Sequence, residues 1–212
     1  RMDLLTDEVQ TGYFTDAEKD HFINMAQHAF MRRLFPLSMP AAKYSSPGSG
    51  GYVGSGKMVE RYVEPLSQEV SGQIGTGSIL LSDIESQLSG SGSIWTILSM
   101  SVSSDEDGTY YPSRWVSESE YRKRSAHKLL AGCVSDSMWY TIEGKVVVSH
   151  GSYYKANVLR VPVDVELGVT NCEYPEAAKD IILYLSLVQA GIATRDTEFL
   201  AQVEESFVKI GI

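Results

Sequence analysis

Cysteine is nearly absent from this chain. Cys133 and Cys172 are the only two among 212 residues. Two thiols so far apart make neither a disulfide framework nor a zinc knuckle, and they suit assembly in a reducing compartment. Basic charge is short as well, since Lys+Arg 18 against Asp+Glu 27 gives a net charge of -9. A protein that grips duplex phosphates needs a clustered basic face to release counterions, so tight non-specific DNA binding is excluded as the main activity. No stretch approaches the roughly 18 apolar residues that span a bilayer, and no basic n-region followed by an apolar h-region opens the sequence. The expectation is a soluble chain with no membrane partner.

Catalytic patterns are missing too. Histidine is limited to His21, His28, His127 and His150. His21 and His28 fall two turns apart on one expected helix, about 10 Å at 1.5 Å per residue, too far to share a metal. Serines abound, yet Gly48-Ser49-Gly50 and Gly90-Ser91-Gly92-Ser93 sit in low-complexity runs, not at a strand-to-helix elbow. The carboxylate pairs Asp105/Asp107 and Glu204/Glu205 read as a turn and a solvated helix face. Gly51-Tyr52-Val53-Gly54-Ser55-Gly56-Lys57 has phosphate-loop spacing. However, Met58 stands where a Ser or Thr would bind magnesium, and no apolar strand leads into the loop. No enzyme activity, metal or cofactor is expected.

What is present is helix at both ends. Thr15 and Glu18 form a capping box, because hydroxyl and carboxylate can each satisfy an orphan amide of the first turn. Phe22, Ile23, Ala26, Ala29, Phe30 and Leu34 then recur at three- and four-residue steps until Pro36 stops the helix near Phe35. A short helical turn over residues 3–10 is expected before it. Near the C-terminus, Pro175 suits a first turn, and Ile181, Ile182, Leu185 and Val188 form a stripe. Gly191 is the expected left-handed cap, with Thr194 capping a following helix that carries Phe199, Leu200, Val203 and Phe207 on one side. No one of the three can bury its stripe alone, so they are expected to pack as one unit.

The middle reads as strands. Residues 94–102 alternate, placing Ile94, Leu98, Met100 and Val102 on one face and Trp95, Ile97, Ser99 and Ser101 on the other. Residues 105–108 form a turn. Ser117 with Glu120 makes a second capping box, opening a helix to about Leu130. Glu143-Gly144 between two β-prone runs predicts a tight hairpin. A strand over 157–165 contains Pro162, which predicts an edge position or a bulge. The expected fold class is α+β: a helical unit from residues 1–43 and 173–212, a Ser/Gly-rich loop or arm with short strands over 44–92, and an inserted β-rich, sandwich- or barrel-like domain with one helix over 93–172. Residues 44–57 have too little apolar surface to order by themselves.

The Phe14-Thr15-Asp16-Ala17-Glu18 start, the Ile23-Asn24-Met25-Ala26 run, the Val161-Pro162 step and the Tyr174-Pro175 opening carry a resemblance. In that order around a β-rich middle, they resemble the head-to-tail connector (adaptor or neck ring) proteins of tailed bacteriophages, of the short-tailed type. The resemblance implies a virion protein without catalysis that is assembled in the host cytoplasm. It implies a homo-oligomeric ring, a dodecamer by family precedent, contacting the portal protein on one side and the tail or further ring proteins on the other. DNA would be only a passing substrate, and an acidic lumen would repel it. The alternative class is a β-sandwich virion decoration or receptor- or glycan-binding module, using the aromatic-rich middle as its surface. Candidate subunit-interface residues are Tyr52, Lys57, Tyr110, Tyr111, Arg122, Arg124, Tyr153 and Tyr154, because rigid aromatics and a local basic concentration suit contacts.

Overall fold

The computed structural model describes residues 14–34, 62, 64–90, 92–126, 132–166 and 168–210. The chain divides into two compact units, Arg1–Ser38 with Pro162–Ile212, and Met39–Val161. The expected junctions near 43 and 173 therefore differ from these. The segment after Val161 belongs with the helices, and the described residues of 64–92 belong with the sheet.

In the helical unit, α1 spans Asp16–Leu34. Its capping box forms reciprocally: the Thr15 amide donates to Glu18 Oε2 at 2.8 Å, and the Glu18 amide donates to Thr15 Oγ1 at 3.3 Å. That bonding holds the exposed Glu18 carboxyl below its ordinary pKa. The expected turn at 3–10 lies outside the described residues. Helix α4 spans Glu176–Thr194 and α5 spans Thr197–Ile210. Phe14 meets Phe199 edge-on at 6.4 Å, and Phe30 meets Tyr174 at 5.5 Å. These contacts tie the residue before α1 to the first turn of α5, and the last turns of α1 to the residue that leads into α4. Between them Ile23, Leu183, Tyr184, Val188 and Phe199 pack on the buried Leu187 and Val203. The expected three-helix packing is what the structure has.

The caps between α4 and α5 differ from expectation. Gly191 lies within α4, and the left-handed residue is Arg195, at φ 56°. Gly191 serves close approach instead, since a Cβ there would come 2.5 Å from Leu200 Cδ2. Thr194 turns its hydroxyl back to the Ala190 carbonyl at 3.0 Å. The N-cap of α5 is Asp196, whose Oδ1 accepts from the Phe199 amide at 2.9 Å. Aspartate at the N-cap also complements the helix dipole, which a threonine cannot do.

The second unit is a mixed seven-stranded sheet in the order β1-β7-β3-β4-β5-β6-β2. Its strands are β1 Ser67–Gln73, β2 Ser78–Leu80, β3 Ile94–Ser103, β4 Tyr111–Trp115, β5 Met138–Ile142, β6 Lys145–Val148 and β7 Tyr153–Arg160. Two short helices, α2 (Leu81–Glu85) and α3 (Glu118–Ala126), accompany it. All pairings are antiparallel except β4 with β5. In a flat sheet the outer strands β1 and β2 would lie about 29 Å apart, six spacings of ~4.8 Å. Only residues 74–77 join them, a reach of about 18 Å, so the sheet must curl. The Ile74 amide donating to Ser152 O at 2.8 Å and the Val148 amide donating to Gly77 O at 2.9 Å tie this link down. One core fills the curl, with Val70, Ile79, Ile84, Met100, Val102, Trp139, Val146, Tyr154 and Val158 among its buried residues.

Several strand expectations need correction. Ile97 joins Met100 and Val102 in the core, because a bulge between Ile97 and Ser99 in the β7 register shifts the alternation. The last strand begins at Tyr153 and ends at Arg160, so Pro162 follows it, and β7 lies between β1 and β3 instead of at an edge. Within 64–92 the chain forms β1, β2 and α2. The outer side of β1 is blunted by Gln87, whose Oε1 accepts from the Ser71 amide at 3.2 Å. The Glu143-Gly144 hairpin is as expected, with φ 44° and 76° and Ile142 opposite Lys145. Ser117 Oγ accepts from the Glu120 amide at 3.3 Å and starts α3, whose described part ends at Ala126. The expected continuation to Leu130 lies outside the described residues.

Candidate interaction surfaces

Four candidate residues gather at one end of the sheet. Val102 of β3 stands opposite Tyr111 of β4 on one side and Tyr154 of β7 on the other, and Ser103 stands opposite Tyr153. Tyr110 donates its hydroxyl to Glu106 O at 3.0 Å, folding over the acidic turn that Gly108 closes by donating to Asp105 O. Lys155 Nζ lies 4.5 Å from the centre of the Tyr110 ring. Such a contact at an exposed site is worth about 0.5–1 kcal/mol. Desolvation first, and then the charges of Glu106 and Asp107, raise the Tyr110 phenol above its ordinary pKa. Tyr111 is 40% exposed and Tyr153 half-buried.

Tyr154 does not share that surface. It is 1% exposed, its ring lies in the core, and its hydroxyl accepts from Gln87 Nε2 at 3.5 Å. Gly72 opposite leaves it room, since a Cβ there would stand 3.1 Å from the ring. Strict alternation along β7 accounts for this, because Tyr153 and Tyr154 must point to opposite faces. Tyr52 and Lys57, with the whole phosphate-loop pattern, lie outside the described residues.

The basic concentration on α3 is largely neutralised within its own helix. Arg122 pairs with Glu118, and Arg124 pairs with Glu120 at 3.0 Å. Exposed i,i+4 pairs of this kind contribute about 0.3–0.5 kcal/mol. No α3 residue is buried, and Tyr121 leans on Tyr140 at 4.8 Å. Lys128 and His127 fall outside the described residues. His28 Nε2 reaches Asp164 at 4.0 Å, and His150 Nδ1 is 3.0 Å from Ser149 Oγ. Among the described residues no three His, Cys, Asp or Glu side chains cluster to hold a metal.

Sequence reasoning missed one feature, a cavity of about 190 Å³ in the helical unit. Ile23 of α1, Val165 and Cys172 of the incoming segment, and Ile182 and Leu183 of α4 form its apolar lining, with Glu176, Lys179 and Asp180 around it. Asn24 anchors the incoming segment. Its Nδ2 donates to Val165 O at 3.1 Å, and its Oδ1 accepts from the Val165 amide at 2.7 Å. Lys179 Nζ pairs with Glu176 at 2.8 Å. Burial pushes the Cys172 thiol above its ordinary pKa. Only a long-range arrangement brings residues 23, 165, 172 and 183 together, so no local pattern announces the cavity.

Fold and surface together define an α+β protein with a helical unit built from N- and C-terminal segments and a curled sheet unit inserted between them in sequence. No protein-family model matches the chain, and a search of curated proteins finds no relative. Among the described residues no helix is long and apolar enough to cross a membrane.

Proposed function

We propose that this chain is a structural subunit that assembles with copies of itself into a ring in the neck of a tailed bacteriophage, joining portal to tail around the DNA passage. The observation that carries the reading is the helical unit made from both chain ends, with Phe14, Phe22 and Phe30 of the N-terminal part packed against Phe199 and Tyr174 or against one another. That is the arrangement the connector resemblance implies. Charge supports it too. The helical unit holds seven Lys and Arg against fifteen Asp and Glu, so it carries -8 of the chain's -9. A surface of that sign repels phosphates and lets DNA pass without adhering. The work is geometric, and the exposed tyrosines and paired charges of the surface suit contacts better than catalysis. Native mass spectrometry with negative-stain imaging tests the reading: a closed ring of copies is expected, and a chain that stays monomeric at high micromolar concentration overturns it.

A further inference from the structure

Strand β4 has charge of one sign before it and of the other beyond it. The turn over 105–107 leads into β4, and its side chains Asp105, Glu106 and Asp107 are all exposed and make no ion pair among the described residues. Against them stands Lys155, held over the Tyr110 ring, so three carboxylates face one ammonium. Tyr111, 40% exposed, and the half-buried Tyr153 stand in the strands beside the turn.

The far end is basic. Strand β4 ends at Trp115, four residue steps or about 13 Å from Tyr111. Trp115 stands opposite Trp139 of the parallel strand β5, and Tyr121 of α3 leans on Tyr140, the next residue of β5, so α3 lies past the end of β4. There Arg122 and Arg124 pair with Glu118 and Glu120, whereas the exposed Lys123 and Arg114 make no ion pair among the described residues. Asp136, in the turn before β5, offsets only one of these two. At physiological salt charges are screened beyond about 8 Å, so the two ends cannot neutralise each other within one copy.

We infer that the acidic turn of one copy docks on the α3 end of a second copy, with Asp105, Glu106 and Asp107 set against that copy's Lys123 and Arg114 and the exposed Tyr111 ring covering the contact. The occupant is a copy of this chain because one sheet unit presents both signs, each exposed and each left over after its own pairing. Tyrosine suits such a contact, since it adds rigid area and attracts cations to its face, as Lys155 already shows on Tyr110. The inference rests on the ring reading and names the contact that would build it. Because turn and helix are different surfaces, the contact is heterologous and repeats from copy to copy until a ring closes.

Zero-length cross-linking tests it, because carbodiimide joins a lysine to a carboxylate only where the two touch. Assembled from an equal mixture of isotope-labelled and unlabelled chains, the protein should yield mixed-isotope peptides that link Lys123 to Asp105, Glu106 or Asp107. Separately, Glu106→Lys with Asp107→Lys should raise the concentration needed for assembly about tenfold or more, and so should Arg114→Glu with Lys123→Glu. All four positions are exposed. Placed in one chain, the two reversals should restore assembly, which a merely damaged fold could not do. Closed rings of the unaltered chain without that cross-link, or reversed chains that assemble unchanged, would overturn this contact and leave the ring reading standing. Reversals that fail to rescue each other also overturn it, and a chain that never assembles overturns both.

Discussion

Replacing Phe30 with alanine strikes the packing that joins the two chain ends. Phe30 is 5% exposed, and its ring meets Tyr174 edge-to-face at 5.5 Å with planes 80° apart. Transfer of a buried phenylalanine side chain contributes about 1.5–3 kcal/mol. An aromatic pair of this geometry adds about 0.5–1.5 kcal/mol, and the cavity left behind brings Phe→Ala losses to about 3–5 kcal/mol. Urea unfolding followed by circular dichroism reads the helices. All three tryptophans, Trp95, Trp115 and Trp139, lie in the sheet unit, so fluorescence reads that unit separately. The dichroism transition should therefore move to lower urea by that amount. Met25→Ala on the same helix, at a 42% exposed position, should move it by less than about 0.5 kcal/mol. A Phe30→Ala shift no larger than the Met25→Ala shift would refute the packing argument.

Gly191→Ala should destabilise by about 1–3 kcal/mol because its Cβ meets Leu200, yet in a Leu200→Ala background the same change should stabilise by up to about 1 kcal/mol through helix propensity; a thermal double-mutant cycle reads both signs. Tyr174 is buried with its hydroxyl unpartnered among the described residues, so Tyr174→Phe should be neutral or stabilise by about 1 kcal/mol in urea, and a loss above that would show an overlooked partner. Burial, then the Cys172 and Glu173 charges, raises the Tyr174 phenol. A raised folded pKa gives stability that is intact below the unfolded value near 10 and falls as pH climbs past it, so Tyr174→Phe should flatten alkaline unfolding followed by dichroism. With a thiol reagent Cys133, exposed and lowered by its bond to Ser135, should react well before Cys172, and equal rates would contradict the burial assigned to Cys172.

Elements set by adjacent residues were legible in the sequence. The Thr15–Glu18 box and the Glu143-Gly144 turn need only residues within four positions, and both form as expected. The connection between α4 and α5 was misread because glycine serves two purposes, a left-handed cap or a close approach, and only the position of Leu200 decides between them. Ile97 was assigned to the wrong face of β3 because the bulge depends on β7, a partner some sixty residues away in sequence. The short strands expected within 44–92 could not be placed from the sequence, since β1 carries one buried side chain in seven, Val70, and owes its place to pairing with β7. Of the surface candidates, Tyr110, Tyr111 and Tyr153 keep exposed surface at one sheet end, whereas Tyr154 turns inward by the alternation of its own strand.

The central claim is assembly, and the mass of the native particle tests it most directly. Native mass spectrometry of the purified chain, with class averages from negative stain, should give one closed ring of identical copies with an open centre. A monomer or trimer that instead is retained on a glycan array would contradict the ring account and favour a receptor-binding module.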